Sequence, residues 1–126
     1  RVGTVSAASG DTRAAVILSN DGSYNPSNSN DLGGIVRAAG GSHLIRGGAI
    51  TLNSTKGGVG LAGSGNDILL DTGVTSDDVL TVLSADDVYL REINDGNSGR
   101  SDDLRVKEIS AAGMALRWSA MPPVRV

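Results

Sequence analysis

The chain has 126 residues, a net charge of −3, 18 Gly, one Trp, two Tyr and neither Cys nor Phe. Without Cys there is no disulfide, thiolate zinc site, iron–sulfur cluster or Cys nucleophile, and the one His, His43, leaves no multi-His metal site. The 11 basic and 14 acidic residues do not segregate, so nucleic-acid binding lacks an electrostatic footing, and no apolar run approaches the ~20 residues of a membrane helix.

Short β-branched runs bounded by Gly, Asn, Asp or Ser read as strands. In chain order they are Val2–Val5, Ala15–Leu18, Gly34–Arg37, His43–Ile45, Ala49–Leu52 and Val59–Leu61, then Asp67–Leu70, Val79–Leu83, Val88–Arg91, Leu104–Ile109 and Met114–Trp118. Asn20–Gly33 reads as a long polar loop inserted between strands. The two best helical stretches, Ser76–Ile93 and Asp102–Trp118, are rich in β-branched residues, and Gly113 interrupts the second. Alternation suits them better. Val88 and Leu90 share a face, which reaches Glu92 if the strand runs on, opposite Tyr89 and Arg91. Leu104, Val106 and Glu108 alternate with Arg105, Lys107 and Ile109; in each of these two segments one position breaks the pattern, which a bend or bulge would repair.

Repetition is the most informative feature. Four segments place an acidic residue before apolar-x-apolar: Asn66-Asp-Ile-Leu-Leu70, Asp77-Asp-Val-Leu-Thr-Val82, Asp86-Asp-Val-Tyr-Leu90 and Asp102-Asp-Leu-Arg-Val106. Val2-Gly-Thr-Val-Ser-Ala-Ala-Ser9 is echoed by Val106-Lys-Glu-Ile-Ser-Ala-Ala-Gly113. A five-residue strand with one aliphatic face cannot bury it alone, and Gly, Asp and Asn corners bend the chain after each strand. Stacking such units about 4.8 Å apart pairs backbone with backbone and aliphatic with aliphatic. The expectation is an all-β fold: one right-handed parallel β-helix, or β-solenoid, over residues 1–126, with about five to six coils of roughly 20–25 residues. The alternative is a Gly-rich β-sandwich or jelly roll. The 12 Val, 7 Ile and 12 Leu suit a narrow interior, which large rings would split. The start at Arg1 rather than Met suggests a processed or excised piece.

The phrases Val2-Gly-Thr-Val-Ser-Ala-Ala-Ser-Gly-Asp11, Gly48-Ala-Ile-Thr-Leu52, Ala85-Asp-Asp-Val-Tyr-Leu90 and Asp103-Leu-Arg-Val-Lys-Glu-Ile-Ser-Ala-Ala-Gly113 resemble repeats of filamentous-haemagglutinin-like bacterial exoproteins. The resemblance implies a shaft segment of a right-handed parallel β-helix at the bacterial cell surface, secreted, adhesive or fibre-forming and without an active site. The Asn-Pro-Asn signatures of that family's secretion domain are not present; Asn25-Pro-Ser is a poor substitute. Exposed coil ends would be covered by flanking coils or by end-to-end association with another copy. Tyr24 and Asn25, in the inserted loop, are candidate contacts with a host, a surface or another copy; Trp118 and Met114 would cap the last coil or touch a partner.

Several motifs bear on chemistry. Gly58-Val-Gly-Leu-Ala-Gly63 matches the dinucleotide fingerprint in spelling, but Ser64-Gly-Asn-Asp67 opens no helix, so turn glycines are expected. Ala62-Gly-Ser-Gly-Asn-Asp-Ile-Leu69 resembles one nonapeptide of a calcium-binding β-roll, which makes Asp67, with Asp71 or Asp78, a candidate Ca²⁺ ligand. No other cofactor is expected. The pairs Asp77-Asp78, Asp86-Asp87 and Asp102-Asp103 could serve glycoside chemistry only if carboxylates from different coils faced one another about 5–9.5 Å apart. At strand starts, Asp more simply favours turns. His43, between Ser42 and Leu44, is expected to be an exposed or a turn histidine, and the sequon Asn53-Ser54-Thr55 a polar turn.

Overall fold

The computed structural model describes residues 1–9, 12–20, 34–40, 43–73, 75–93, 104–112, 116–119 and 124–125. Its strands are, in chain order, β1 (Val5–Ser6), β2 (Ala8–Ser9), β3 (Thr12–Arg13), β4 (Val16–Asn20), β5 (Leu44–Arg46) and β6 (Ile50–Ser54). There follow β7 (Ile68–Asp71), β8 (Leu80–Ser84), β9 (Val88–Glu92), β10 (Leu104–Ala111), β11 (Leu116–Ser119) and β12 (Val124–Arg125).

The protein is all-β, built on two parallel sheets. One sheet runs β1-β5-β7-β9-β11 and the other β4-β6-β8-β10-β12, so from β4 onward consecutive strands alternate between sheets. Every pairing within these two sheets is parallel. Sandwiches and jelly rolls are antiparallel; here, among the described residues, the antiparallel ladder is confined to the small β2–β3 hairpin, a feature the sequence pattern did not suggest. A third, narrower line of contact comes from single parallel bridges, Val2 to Arg37, Ile35 to Val59 and Val59 to Val88. The expected strands at Gly34–Arg37 and Val59–Leu61 shrink to these bridges, because glycines at 34, 58 and 60 leave too few side chains to sustain a longer ladder.

Register explains the core. Val16 lies beside Ile50, Ile50 beside Leu80, and Leu80 beside Val106. A second column runs Leu18, Leu52, Val82 and Ile109. In the other sheet Val5, Ile45 and Leu70 are stacked in turn, and the next position in that column is Glu92. Ile50, Leu52, Val59, Leu70, Leu80, Val82 and Val88 are fully enclosed, each such side chain stabilising by roughly 1.5–3 kcal/mol. Rising and falling burial along β6 and β8 follows the two-residue period of a strand whose one face meets the interior. The break in phase expected in the Leu104–Ile109 segment is present as an irregularity of β10, where register shifts between Val106 and Glu108; β9, where the other was expected, pairs with both neighbours without a shift, Glu92 continuing the inward face. The strand signal for Ala15–Leu18 extends as far as Asn20, the last residue of β4, and the rest of the expected insertion, 21–33, lies outside the described residues.

Two glycines on the narrow third line hold it together by lacking a side chain. Gly34 (φ 63°) and Gly60 (φ 76°) adopt left-handed conformations, and a Cβ on either would run into backbone oxygen of the next rung, Gly58 O and Tyr89 O respectively.

Leu52→Ala and Leu80→Ala should each cost about 2–5 kcal/mol through the cavity left behind. Ile17→Ala, at a side chain 70% exposed, should change stability by about 0.5 kcal/mol or less. Urea midpoints for the three variants check this, and equal losses at Leu52 and Ile17 would contradict the packing described. Gly60→Ala should unfold the third line and lower the midpoint further than the addition of one methyl group would suggest, because that methyl meets Tyr89 O.

Candidate functional site

Most polar side chains in a stack of this kind point to solvent, so the buried ones mark where the fold has been made to hold charge. Ser54, Asp67, Asp71, Thr72 and Glu92 are buried among the described residues. Asp71, Thr72 and Glu92 gather with Arg13 and Arg46 where the chain turns from one parallel sheet toward the other. The hairpin of β2 and β3 delivers Arg13 to this corner, closing through Ala14 N–H to Ala7 O at 2.8 Å.

Arg13 Nη1 donates to Gly47 O (3.3 Å), Asp71 O (3.0 Å), Thr72 O (3.1 Å) and Asp71 Oδ1 (2.9 Å). Its Nη2 donates to Asp71 Oδ2 at 3.3 Å, so the guanidinium grips the carboxylate with both nitrogens. From the neighbouring strand, Arg46 Nε donates to the same Asp71 Oδ2 at 2.7 Å. The two arginines differ in exposure: the Arg13 side chain is 5% exposed and that of Arg46 34%. Arg13 therefore acts as a buried strut against three backbone carbonyls of two rungs, and Arg46 as a half-buried second cation.

On the next rung Thr72 donates to Glu92 Oε1 twice, from its N–H and from its Oγ1, each at 3.0 Å. Glu92 Oε2 is buried and has no hydrogen-bond partner. Burial pushes the Glu92 carboxyl from 4.5 up to about 7; the bonds from Thr72 work against that rise, the Asp71 charge adds to it, and Arg13 opposes it. This corner is thus an ion-paired clamp joined to a carboxyl group that takes up or releases a proton near neutrality.

The carboxylates singled out from the sequence are dispersed. Asp67 is buried, with Oδ2 3.2 Å from Arg91 Nη2. Asp71 belongs to the clamp. Asp78 Oδ2 accepts from Thr75 N–H at 2.9 Å, ordering the turn ahead of β8. Asp86 Oδ1 accepts from Asp87 N–H at 2.9 Å, and Tyr89 O–H reaches Asp87 Oδ2 at 3.4 Å. Asp86, Asp87 and Tyr89 edge a cavity of about 210 Å³ whose floor includes Gly58 and Gly60. Among the described residues no three His, Asp or Glu side chains come together as a metal-binding group. The Gly58–Gly63 stretch leads through a turn into β7 rather than a helix.

His43 Nδ1 lies 3.5 Å from Thr4 Oγ1 at an exposed point between rungs. Asn53 and Ser54 of the sequon belong to β6, which runs past the expected end at Leu52, and only Thr55 lies in the bend beyond it; Asn53 is strand because it pairs in register with Ser19 and Leu83. Trp118 lies in β11 opposite Leu90. Tyr24, Asn25, Asp102, Asp103 and Met114 lie outside the described residues.

Sequence reading missed Arg13, Arg46 and Thr72. Arg13 has no local signal, since its acceptors lie 34, 58 and 59 residues away. Glu92 did carry one: it falls in phase with Val88 and Leu90. Comparison with protein-family models, with curated proteins and with solved structures finds no match.

Because folded Glu92 holds a proton that an unfolded glutamate has released, stability should fall as pH rises from about 4.5 to about 7 and level off above. That loss is on the order of 3 kcal/mol. Glu92→Gln keeps an acceptor for Thr72 and should flatten this part of the curve, as read from urea midpoints at stepped pH. Arg13→Met should cost about 3–5 kcal/mol by stripping Asp71 of its buried cation, a larger loss than Arg46→Met, where the side chain is half-exposed.

Proposed function

We propose that this chain is a right-handed parallel β-solenoid segment, of five coils with a sixth at most, that serves as a non-catalytic shaft in a secreted bacterial surface protein. The observation that carries the reading is the alternation of consecutive strands between two parallel sheets with like residues in register, from β4 to β12. A chain that returns to the same two sheets at each rung gains length without changing its cross-section, which suits a rigid spacer. The resemblance to filamentous-haemagglutinin-like repeats supports an extracellular location and an adhesive or fibre-forming role. In this reading the loops between rungs, including Tyr24 and Asn25, make the contacts with a host, a surface or another copy.

Such a shaft has two ends. β1 and β4 border the sheets on one side, β11 and β12 on the other. Edge strands offer unpaired backbone groups, so flanking coils or end-to-end association with a second copy would complete them.

Negative-stain microscopy and sedimentation over a range of concentrations test this. The expected result is rod-shaped particles that lengthen in steps of one molecule as concentration rises. A globular particle of fixed size, or cleavage of an acidic plant polysaccharide in a product assay, would overturn it. In the same series, thermal melts with Ca²⁺ and with a chelator should coincide, since Asp67 is already held by Arg91; a large rise in Tm with Ca²⁺ would favour a calcium-stabilised β-roll instead.

A further inference from the structure

The narrow third face carries a second cavity, of about 220 Å³, whose charged lining residues are Arg1 and Arg37. Both are held by the backbone. Val2 is bridged to Arg37, with Val2 N–H donating to Val36 O and Ala38 N–H donating to Val2 O, each at 2.7 Å. Arg1 and Arg37 thereby lie on adjacent rungs. Arg37 lies over Gly65, its Nη2 3.4 Å from the point where a Cβ there would stand, and Gly65 has a φ of +80°. A side chain at position 65 would be strained and would crowd the guanidinium, so the glycine keeps this approach open.

The surrounding carboxylates are engaged elsewhere. Asp67 is paired with Arg91. Asp86 and Asp87 line the other cavity of this face, across Leu61, which forms part of both walls. Among the described residues neither Arg1 nor Arg37 is paired with an acid. Two arginines and no carboxylate among the residues lining one concave site, on a chain of net charge −3, are a local reversal of the molecule's field.

We propose that this cavity is an oxyanion site, taking a sulfate, phosphate or carboxylate group between Arg1 and Arg37. The planar fork of a guanidinium matches two oxygens of such a group, and the second arginine neutralises the rest of the charge. The volume leaves room beside the anion for the group that carries it, so the oxyanion is either a free ion or the charged substituent of a small sugar.

Titration of ¹⁵N-labelled protein with sodium sulfate, against sodium chloride at matched ionic strength, tests the site. Saturable shifts are expected at the Gly40, Gly65 and Asn66 amides and at Arg37 Nε–H, with dissociation in the millimolar range, on the order of 1 mM. Arg37→Gln should weaken binding by about tenfold or more, the loss of a charged hydrogen-bonding partner. Inorganic phosphate and acetate rank the anions. Tighter binding of glucose 6-sulfate than of sulfate, with no binding of glucose, assigns a sugar-borne group; equal binding assigns the free ion. The proposal is overturned if chloride reproduces the shifts, or if Arg37→Gln retains its far-UV spectrum and binds sulfate like the parent. Should that variant unfold, Arg1→Gln, at an exposed side chain, decides: unchanged sulfate affinity overturns the site, and weakened affinity supports it.

Discussion

Parallel pairing in register places each residue beside its counterpart on the next rung, and nearly everything else in this protein follows from that constraint. An inward position in one rung is inward in all of them, so Val16, Ile50 and Leu80 are obliged to be compatible in size as well as in hydrophobicity. The absence of Phe follows from the same geometry: a ring in one layer would need a gap or another ring in the layers beside it. The constraint also fixes the corners. At Gly60 backbone comes so close to backbone that the next rung's carbonyl occupies the place of a Cβ.

A polar residue in an inward column is correspondingly conspicuous. Glu92 continues the column of Val5, Ile45 and Leu70, and burial there disfavours its charged form. Thr72 answers one carboxyl oxygen twice and leaves the other unpartnered. Two rungs' worth of backbone carbonyls beside it are answered instead by Arg13, which also meets Asp71. Burying a guanidinium is unfavourable in itself, and the pair is tolerated because both Nη groups of Arg13 find oxygens. Removing either member would leave the other charge in a site with little access to water. The corner therefore specifies how the β2–β3 hairpin seats against the rungs more than it adds to overall stability.

The strands were legible because their signal is local. Alternation within Asp87–Ile93, the repeated acid before apolar-x-apolar, and Gly or Asp at each corner act over a few residues, and they mark β6 to β10 closely. The phase break before Glu108 was legible for the same reason. The clamp was not. Arg13 sits in a short polar stretch ahead of Ala14, and nothing nearby distinguishes it from a solvated arginine; its acceptors are brought in by two later rungs. The sequon misled because Asn and Ser favour turns on their own, whereas here register with β4 and β8 keeps Asn53 in a strand. Asp67 drew attention through the Gly-rich turn before it, yet the partner that accounts for it, Arg91, belongs to another repeat unit.

The three faces divide the work unequally, and the reason lies in how many side chains each can display. The two sheets have strands of up to eight residues and bury one side of them. Their outward positions are mixed: Thr51 lies beside Thr81 and Ser19 beside Asn53, while Ile17 and Leu83 stand exposed in the same two columns. The third line makes single-residue bridges with glycines between them, so it covers little of its own surface, and both described cavities, flanking Leu61, lie along it. Acidic groups collect on one side of Leu61 and basic groups on the other. A face made of single bridges and glycines buries Ile35 and Val59 inward but leaves concave space outside them, and in a regular stack that is where recognition can be added without disturbing the columns that hold the rungs together.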